Sequence, residues 1–218
     1  MQTQQQIIDK TAAHVQHLLS GEGSGHDWWH IQRVWNNARM IAAGEQADDF
    51  IVELAALLHD IGDHKFHGGD ETVGPRMAAD WLQQLQVTDD IIQQVCTIIS
   101  ELSFKGAGTS SAMSSLEGQI VQDADRLDAI GAIGIARTFA YGGYKNREIY
   151  NPTIAPVLHD SFEAYKNNTA PTINHFYEKL LLLKERMHTR TARTIARERH
   201  RFMEAYLEQF YAEWEGKR

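Results

Sequence analysis

Apolar residues recur every three to four positions along most of the chain, which is the spacing of amphipathic α-helices. In the first segment Ile7, Ile8, Val15 and Leu18 follow this spacing, and they predict a helix that ends near Gly21. The alternation of apolar and polar residues that is typical of strands does not persist anywhere, and the chain has only four prolines. The pattern therefore predicts an all-α fold of roughly eight or nine helices.

Residues that favour helix N-caps precede several of the helical patterns. They are Asp27, Asp48, Thr72 and Thr88. The pattern that follows Asp48 runs to the pair His59–Asp60, and Gly62 is expected to end that helix. Three tryptophans, Trp28, Trp29 and Trp35, are expected to pack in the core. The first half of the chain thus predicts five helices joined by polar loops.

The second half shows longer helical patterns. One helix is predicted from Leu116 to about Tyr141, after a loop over residues 103–115 that is rich in glycine and serine. Two more helices are predicted over residues 173–187 and 191–214. We expect one domain over residues 1–218, with a core at about 20–140 and C-terminal helices at about 153–215 that pack on it.

The charge balance limits the classes of ligand. The chain carries 21 Lys and Arg against 29 Asp and Glu, a formal net charge of −8, which argues against a nucleic-acid polymer as partner. A small phosphorylated substrate requires only a local basic pocket. No signal peptide and no apolar run of about 20 residues is visible, so no membrane association and a cytoplasmic location are expected.

Four candidate metal ligands lie in three predicted helices. They are His30, His59, Asp60 and Asp125. Taken singly, each also fits a capping or surface role. Two imidazoles and two carboxylates without a thiolate favour Mn²⁺, Mg²⁺, Fe²⁺ or Co²⁺, with positions left for water and substrate oxygens. Asp123 and Asp128 are alternatives to Asp125, because they lie in the same predicted helix.

Three sequence strings resemble the H…HD…D signature of the HD superfamily. They are His26-Asp-Trp-Trp-His30-Ile-Gln-Arg33-Val, Ala55-Ala-Leu-Leu-His59-Asp60-Ile-Gly-Asp63 and Val121-Gln-Asp-Ala-Asp125-Arg126-Leu-Asp128. The resemblance extends to residues 175–180 and to the C-terminal Arg-His-Arg-Phe-Met segment, and is closest to the small bacterial YedJ/YpgQ-like hydrolases. It implies an all-helical fold and a divalent metal bound by the four candidate ligands, and we expect that metal to be Mn²⁺, with Mg²⁺, Co²⁺ or Fe²⁺ as alternatives.

The resemblance also implies hydrolysis of phosphate esters or anhydrides of nucleotides. In the closest branch it implies release of pyrophosphate from nucleoside triphosphates. A nucleoside monophosphatase or phosphodiesterase is the alternative reaction, and a metal-bound nucleotide sensor without turnover is the alternative of another class. The oligomeric state is left open by the sequence.

Further residues are candidates for catalysis and substrate binding. Asp63, four residues after His59, is either the general base or a helix-ending aspartate, and His26 is either a partner of the metal ligands or a loop residue. The candidate phosphate-binding residues are Arg33, Lys65, Lys105, Arg126 and Lys179. Arg33 is equally consistent with a structural ion pair to an acidic ligand.

Overall fold

The computed structural model describes residues 2–20, 27–62, 70, 72–103, 113–158 and 169–218. Within these ranges the chain forms nine α-helices and one 3₁₀ helix, and no β-strand. The helices are α1 Gln4–Leu18, α2 Trp28–Ala42, α3 Asp49–Leu58, α4 Val73–Gln84, α5 Asp89–Ser103, α6 Leu116–Asp128, α7 Gly131–Tyr144, α8 Asn174–Glu178, the 3₁₀ helix Leu180–Arg186 and α9 Arg190–Trp214. The predicted all-α class is confirmed.

Internal contacts divide the chain into two compact units, residues 1–125 and residues 126–218. In the first unit α3 packs against α1, α2 and α5, and α4 packs against α5. In the second unit α9 packs against α7 and the 3₁₀ helix, which also contacts α8. The single domain expected from the sequence, with C-terminal helices on a common core, stays a prediction.

The helix α3 is the most buried element of the first unit. Eight of its ten residues are buried, because apolar side chains occupy nearly its whole circumference. Its N-terminus is capped by Asp48, whose carboxylate accepts hydrogen bonds from the backbone N–H groups of Phe50 and Ile51 at 2.9 and 3.3 Å. This burial fixes the direction in which the chain leaves α3 at His59.

Two of the predicted N-caps behave differently from each other. Asp27 accepts a hydrogen bond from the backbone N–H of His30 at 2.9 Å and caps α2, as predicted. Thr72 precedes α4 but does not cap it with its side chain. Its hydroxyl donates instead to the carboxylate of Asp70 at 2.6 Å. The side chain that was predicted to cap α4 therefore stabilises the turn before the helix.

The single helix predicted from Leu116 to Tyr141 is wrong, because α6 ends at Asp128 and α7 begins at Gly131. Gly131 has φ +77°, a left-handed conformation that glycine adopts without steric cost. The backbone of Gly134 lies against the backbone of Ala129, so a Cβ atom at position 134 would be only 2.2 Å from the carbonyl oxygen of Ala129. The two glycines therefore allow a sharp break inside an uninterrupted apolar pattern.

The helix predicted over residues 173–187 is also divided. Lys179 has φ −144° and ψ −57°, which is outside the helical region, and it separates α8 from the 3₁₀ helix. The C-terminal helix α9 begins after the N-cap Thr189, close to its predicted start. No helix in the described part of the chain combines the length and apolar character that crossing a bilayer requires.

Candidate metal centre

Three candidate ligands converge where α2 begins and α3 ends. His30 lies in the first turn of α2, and His59 and Asp60 directly follow α3. The Oδ2 atom of Asp60 is 3.5 Å from Nε2 of His30 and 3.5 Å from Nε2 of His59. One ligand atom from each residue lies within 4.8 Å of the other two. The packing of α2 against α3 therefore brings two imidazoles and a carboxylate to one point.

A second carboxylate reaches this point from α6. The Oδ1 atom of Asp125 is 3.5 Å from Nε2 of His30. Of the two sequence alternatives, Asp128 is buried and pairs with Arg137, and Asp123 has no exposed surface. Asp125 therefore lies next to His30, but it is outside the group of three residues whose ligand atoms all lie within 4.8 Å of one another, so its role as the fourth ligand stays a prediction.

The spacing of His30, His59 and Asp60 fits a shared divalent ion, and Asp125 lies at a similar distance from His30. Bonds of about 2.1 Å from one ion separate neighbouring ligand atoms by about 3.0 Å at right angles and about 3.4 Å at the tetrahedral angle. The three observed separations of 3.5 Å are close to these values.

The tautomer of His59 also fits metal binding. Its Nδ1 atom is 2.8 Å from the carbonyl oxygen of Ala56, which can only accept, so Nδ1 carries the proton. The lone pair is therefore on Nε2, which faces Asp60. Nε2 of His59 is buried and forms no hydrogen bond within the described ranges. A buried acceptor held in this orientation is typical of a metal-binding histidine.

The cluster has a buried side and an open side. The side chains of His30 and His59 are 2% and 4% exposed, whereas those of Asp60 and Asp125 are 20% and 38% exposed. Water and substrate oxygens therefore reach the cluster from the side of the carboxylates. The two histidines are fixed by the packed interior behind them.

Asn37 links the two helices that carry His30 and Asp125, a link that the sequence pattern did not indicate. It lies seven residues after His30, two turns along the same face of α2, and its side chain is buried. Its Nδ2 atom donates to the carbonyl oxygen of Ala124 at 3.3 Å. This bond joins α2 to α6 at the residue before Asp125, and it thereby helps to set the position of that carboxylate relative to His30.

The turn after Asp60 requires glycine at position 62 because the start of α4 leaves no space for a side chain there. A Cβ atom at Gly62 would lie 2.9 Å from the backbone nitrogen of Gly74 and 3.1 Å from Cγ1 of Val73. The chain therefore passes directly against the start of α4 as it leaves the HD dipeptide. A larger residue at position 62 would force this turn, and with it Asp60, to shift.

The other predicted site residues fall into two groups. Arg33 is half-buried on α2, one turn after His30. Four residues lie outside the described ranges, and their roles stay predictions: His26, Asp63, Lys65 and Lys105. Trp29, expected in the core, is 59% exposed, so that expectation is wrong for this tryptophan. It lies beside the buried His30 on the helix but points away from the core.

Two basic candidates belong to the second unit. Nη1 of Arg126 donates to the carbonyl oxygen of Arg186 and lies 3.0 Å from Nε2 of His188. These contacts tie the end of α6 to the segment after the 3₁₀ helix. Lys179 is exposed and directly follows α8. The phosphate-binding roles of both residues stay predictions.

Comparison with known proteins identifies the family. The HD domain family model matches residues 28–130, a range that contains all four candidate ligands. The crystal structure of an HD-superfamily hydrolase from Bacillus thuringiensis aligns with a TM-score of 0.79 and 45% identity, covering 98% of this chain and 99% of that one. The chain belongs to the HD superfamily of hydrolases. The membership expected from the sequence signature is confirmed, and this HD hydrolase is an enzyme of a metal-dependent phosphohydrolase family.

The similarity extends to one relative in both sequence and structure. The HD hydrolase is 42% identical to YpgQ of Bacillus subtilis over 198 residues, which are 89% of this chain and 87% of YpgQ. The crystal structure of YpgQ in complex with ADP aligns with a TM-score of 0.76 over 97% of each chain, with 35% identity in the structural alignment. The predicted resemblance to YpgQ-like hydrolases is therefore confirmed.

Proposed function

We propose that this HD hydrolase cleaves nucleoside triphosphates between the α- and β-phosphates, releasing a nucleoside monophosphate and pyrophosphate. The observation that carries the proposal is the convergence of His30, His59 and Asp60, whose ligand atoms lie within 4.8 Å of one another, with Asp125 at 3.5 Å from His30. The ADP bound by the similar protein YpgQ supports a nucleotide as the ligand. The choice of pyrophosphate as product follows the resemblance to YpgQ-like hydrolases.

In this proposal His30, His59, Asp60 and Asp125 hold one divalent ion. Bound there, the ion supplies Lewis acidity toward a phosphoryl oxygen and an attacking water. The two carboxylates balance its double positive charge, and they lie on the exposed side, where the substrate enters. The donor set of nitrogen and oxygen atoms favours Mn²⁺, with Mg²⁺, Co²⁺ or Fe²⁺ as alternatives.

Other side chains of the chain complete the proposed reaction. Asp63 accepts the proton of the attacking water as general base, and His26 orients a metal ligand. The basic residues assigned to the phosphates are Arg33, Lys65, Lys105, Arg126 and Lys179. Arginine and lysine suit this role because charge-assisted hydrogen bonds to phosphate oxygens are stronger than neutral ones.

The test is product analysis with the full-length protein. A panel of nucleoside mono-, di- and triphosphates is incubated with Mn²⁺, Mg²⁺, Co²⁺ or Fe²⁺, and the products are separated by chromatography. We expect a monophosphate and pyrophosphate from triphosphates. A diphosphate with orthophosphate would reject this cleavage position, and turnover of monophosphates or phosphodiesters alone would favour the alternative reaction.

A matched pair of histidine variants links the reaction to the metal centre. His59→Gln is expected to lose activity and bound metal while its circular dichroism stays helical, because deleting one ligand removes much of the binding energy of the ion. His17→Gln is the control, since His17 is an exposed residue near the end of α1. Wild-type turnover and metal content in His59→Gln would show that the reaction does not use this cluster.

A further inference from the structure

The helix α9 has one buried side and one exposed charged side. Its buried residues recur every three or four positions, which places them on one side of the helix: Ala192, Ala196, His200, Met203 and Leu207. The opposite side, which we call the α9 face, consists of exposed residues with a similar spacing: Arg190, Thr194, Arg197, Arg201, Glu204, Ala205, Glu208 and Glu215. The arginines of this face all precede the midpoint of the helix, and the glutamates all follow it. Glu198 lies at the edge of the face, about 60° around the helix from Arg201.

This order of charges is unfavourable for an isolated helix. The dipole of an α-helix stabilises acidic residues near its N-terminus and basic residues near its C-terminus. In α9 the first residue is Arg190 and the C-cap is Glu215. This fully described helix has no acidic residue in its first turn and no basic residue in its last turn. The charge that the dipole disfavours is therefore present at each end.

Neighbouring charges on the α9 face also repel one another. Arg197 and Arg201 are four residues apart, as are Glu204 and Glu208, so the members of each pair lie one turn apart. Like charges at this spacing destabilise a helix, whereas opposite charges stabilise it. A partner that brings acidic groups to the first half of the face and basic groups to the second half would offset the repulsion in both.

The charged groups of the face are accessible to such a partner. Three arginines form no ion pair with any described residue: Arg190, Arg197 and Arg201. The glutamates have local partners, since Oε1 of Glu204 is 3.2 Å from Nε2 of His200 and Oε1 of Glu208 is 3.6 Å from Nη2 of Arg218. Glu215 pairs with the lysine two residues after it. All three carboxylates are more than half exposed, so these pairs contribute little and can exchange for an arginine of a partner.

A second α9 in the antiparallel direction has the complementary order of charges. A two-fold axis perpendicular to the helix, between residues 202 and 203, places each arginine opposite a glutamate of the other copy. The opposed pairs, each of which occurs twice, are Arg190 with Glu215, Arg197 with Glu208 and Arg201 with Glu204. The two helix dipoles are then antiparallel as well. Ala205 lies within one turn of the axis, so a short side chain is present where the two helices meet.

We propose that the α9 face is a self-association surface, on which a second copy of this chain docks with its α9 antiparallel. A nucleic acid would match only the arginine half of the face, and a basic partner would match only the glutamate half. A second copy matches both halves with one set of residues, as a two-fold interface requires. The surface lies beyond the proposed function and does not depend on the nucleotide reaction.

Two charge-reversal variants of the full-length protein test the surface by sedimentation velocity at concentrations up to millimolar. Arg197→Glu with Arg201→Glu makes the face acidic, and Glu204→Arg with Glu208→Arg makes it basic. We expect the wild type to form dimers and each variant alone to associate weaker by about tenfold or more, because like charges then oppose each other. An equimolar mixture of the two variants should form a heterodimer, because an acidic face then meets a basic one.

The control variant is Lys10→Glu with Lys145→Glu, which changes the net charge as much as the acidic variant does, at exposed lysines outside the α9 face. It should dimerise like the wild type, and circular dichroism of every variant should stay helical. Three results would each overturn the proposal. They are a wild type that stays monomeric up to millimolar concentration, unchanged association of both reversal variants, and a mixture of the two that does not associate.

The direction of the two helices is tested with spin labels in a Cys96→Ser background, since Cys96 is the one cysteine of the chain. The labels are introduced in separate proteins through Ala205→Cys and Thr194→Cys. At 1.5 Å per residue, the two copies of a label are about 8 Å apart along the helix axis at position 205 and about 26 Å apart at position 194. Electron paramagnetic resonance should therefore give a clearly shorter distance at position 205. Equal distances at the two positions would indicate parallel helices and overturn the antiparallel pairing.

Discussion

Replacing Asn37 by leucine tests how the two halves of the metal centre are held together. The buried amide of Asn37 donates to the carbonyl of Ala124 at 3.3 Å and so joins α2, which carries His30, to α6, which carries Asp125. Leucine has a similar volume and fills the same buried space without the hydrogen bond. The substitution therefore separates the role of this bond from the role of packing.

The expected changes in stability and in metal affinity follow from the two helices that the hydrogen bond between Asn37 and Ala124 joins. The carbonyl of Ala124 lies inside α6 and belongs to the hydrogen-bond ladder of that helix, so removing Asn37 does not leave a buried acceptor empty. The free energy of unfolding should fall by only about 1 kcal/mol. Metal affinity is more sensitive, because residues that position ligands typically contribute tenfold or more. We expect Mn²⁺ binding about tenfold weaker.

The assay is competition for Mn²⁺ between the protein and a fluorescent chelator, combined with urea unfolding of the metal-free protein. Asn36→Leu is the matched control, since Asn36 is the adjacent residue and is exposed. It should leave metal affinity unchanged. Equal Mn²⁺ affinity in the two variants would refute the reasoning and leave Asn37 as a packing residue only.

Two further predictions concern Asp63 and His175. Asp63→Asn should lower kcat by about 10² to 10⁴ while Mn²⁺ stays bound, if Asp63 is the general base; an unchanged kcat would favour the alternative role of a helix-ending aspartate. For His175, the folded-state pKa of about 4 lies below the unfolded value of 6.5, so its stabilising contribution is complete above pH 6.5 and is lost as the pH falls toward 4. This difference between the two pKa values corresponds to about 3 kcal/mol in the free energy of unfolding, and His175→Gln should remove this part of the pH dependence of unfolding. Parallel unfolding free energies for the two proteins from pH 7 to pH 4 would contradict it.

The parts of the fold that the sequence predicted are those decided by local signals. Asp27 and Asp48 act as N-caps, as predicted, because a cap needs only the residue and the helix that follows it. The break after Asp128 was missed, because the apolar pattern continues through Ile130 and the sequence does not show that the carbonyl of Ala129 approaches Gly134. Such breaks depend on tertiary contacts.

The same distinction applies to the site. His30, His59 and Asp60 could be nominated because their order and context resemble a known signature, and the structure brings their ligand atoms together. Asn37 carries no such signal, since its partner is 87 residues away and an asparagine inside a helix has many roles. Trp29 was predicted to be buried because it is a large aromatic residue in an apolar stretch. Neighbouring residues on a helix point about 100° apart, so Trp29 is exposed although His30 beside it is buried.

The most direct test of the metal centre is an anomalous-difference map from crystals of the full-length protein grown with Mn²⁺. We expect one peak about 2.1 to 2.3 Å from Nε2 of His30, Nε2 of His59 and the nearest carboxylate oxygens of Asp60 and Asp125. The same map from His59→Gln crystals should lose most of the peak. A manganese peak elsewhere, or full occupancy in His59→Gln, would contradict the assignment of the metal to this cluster.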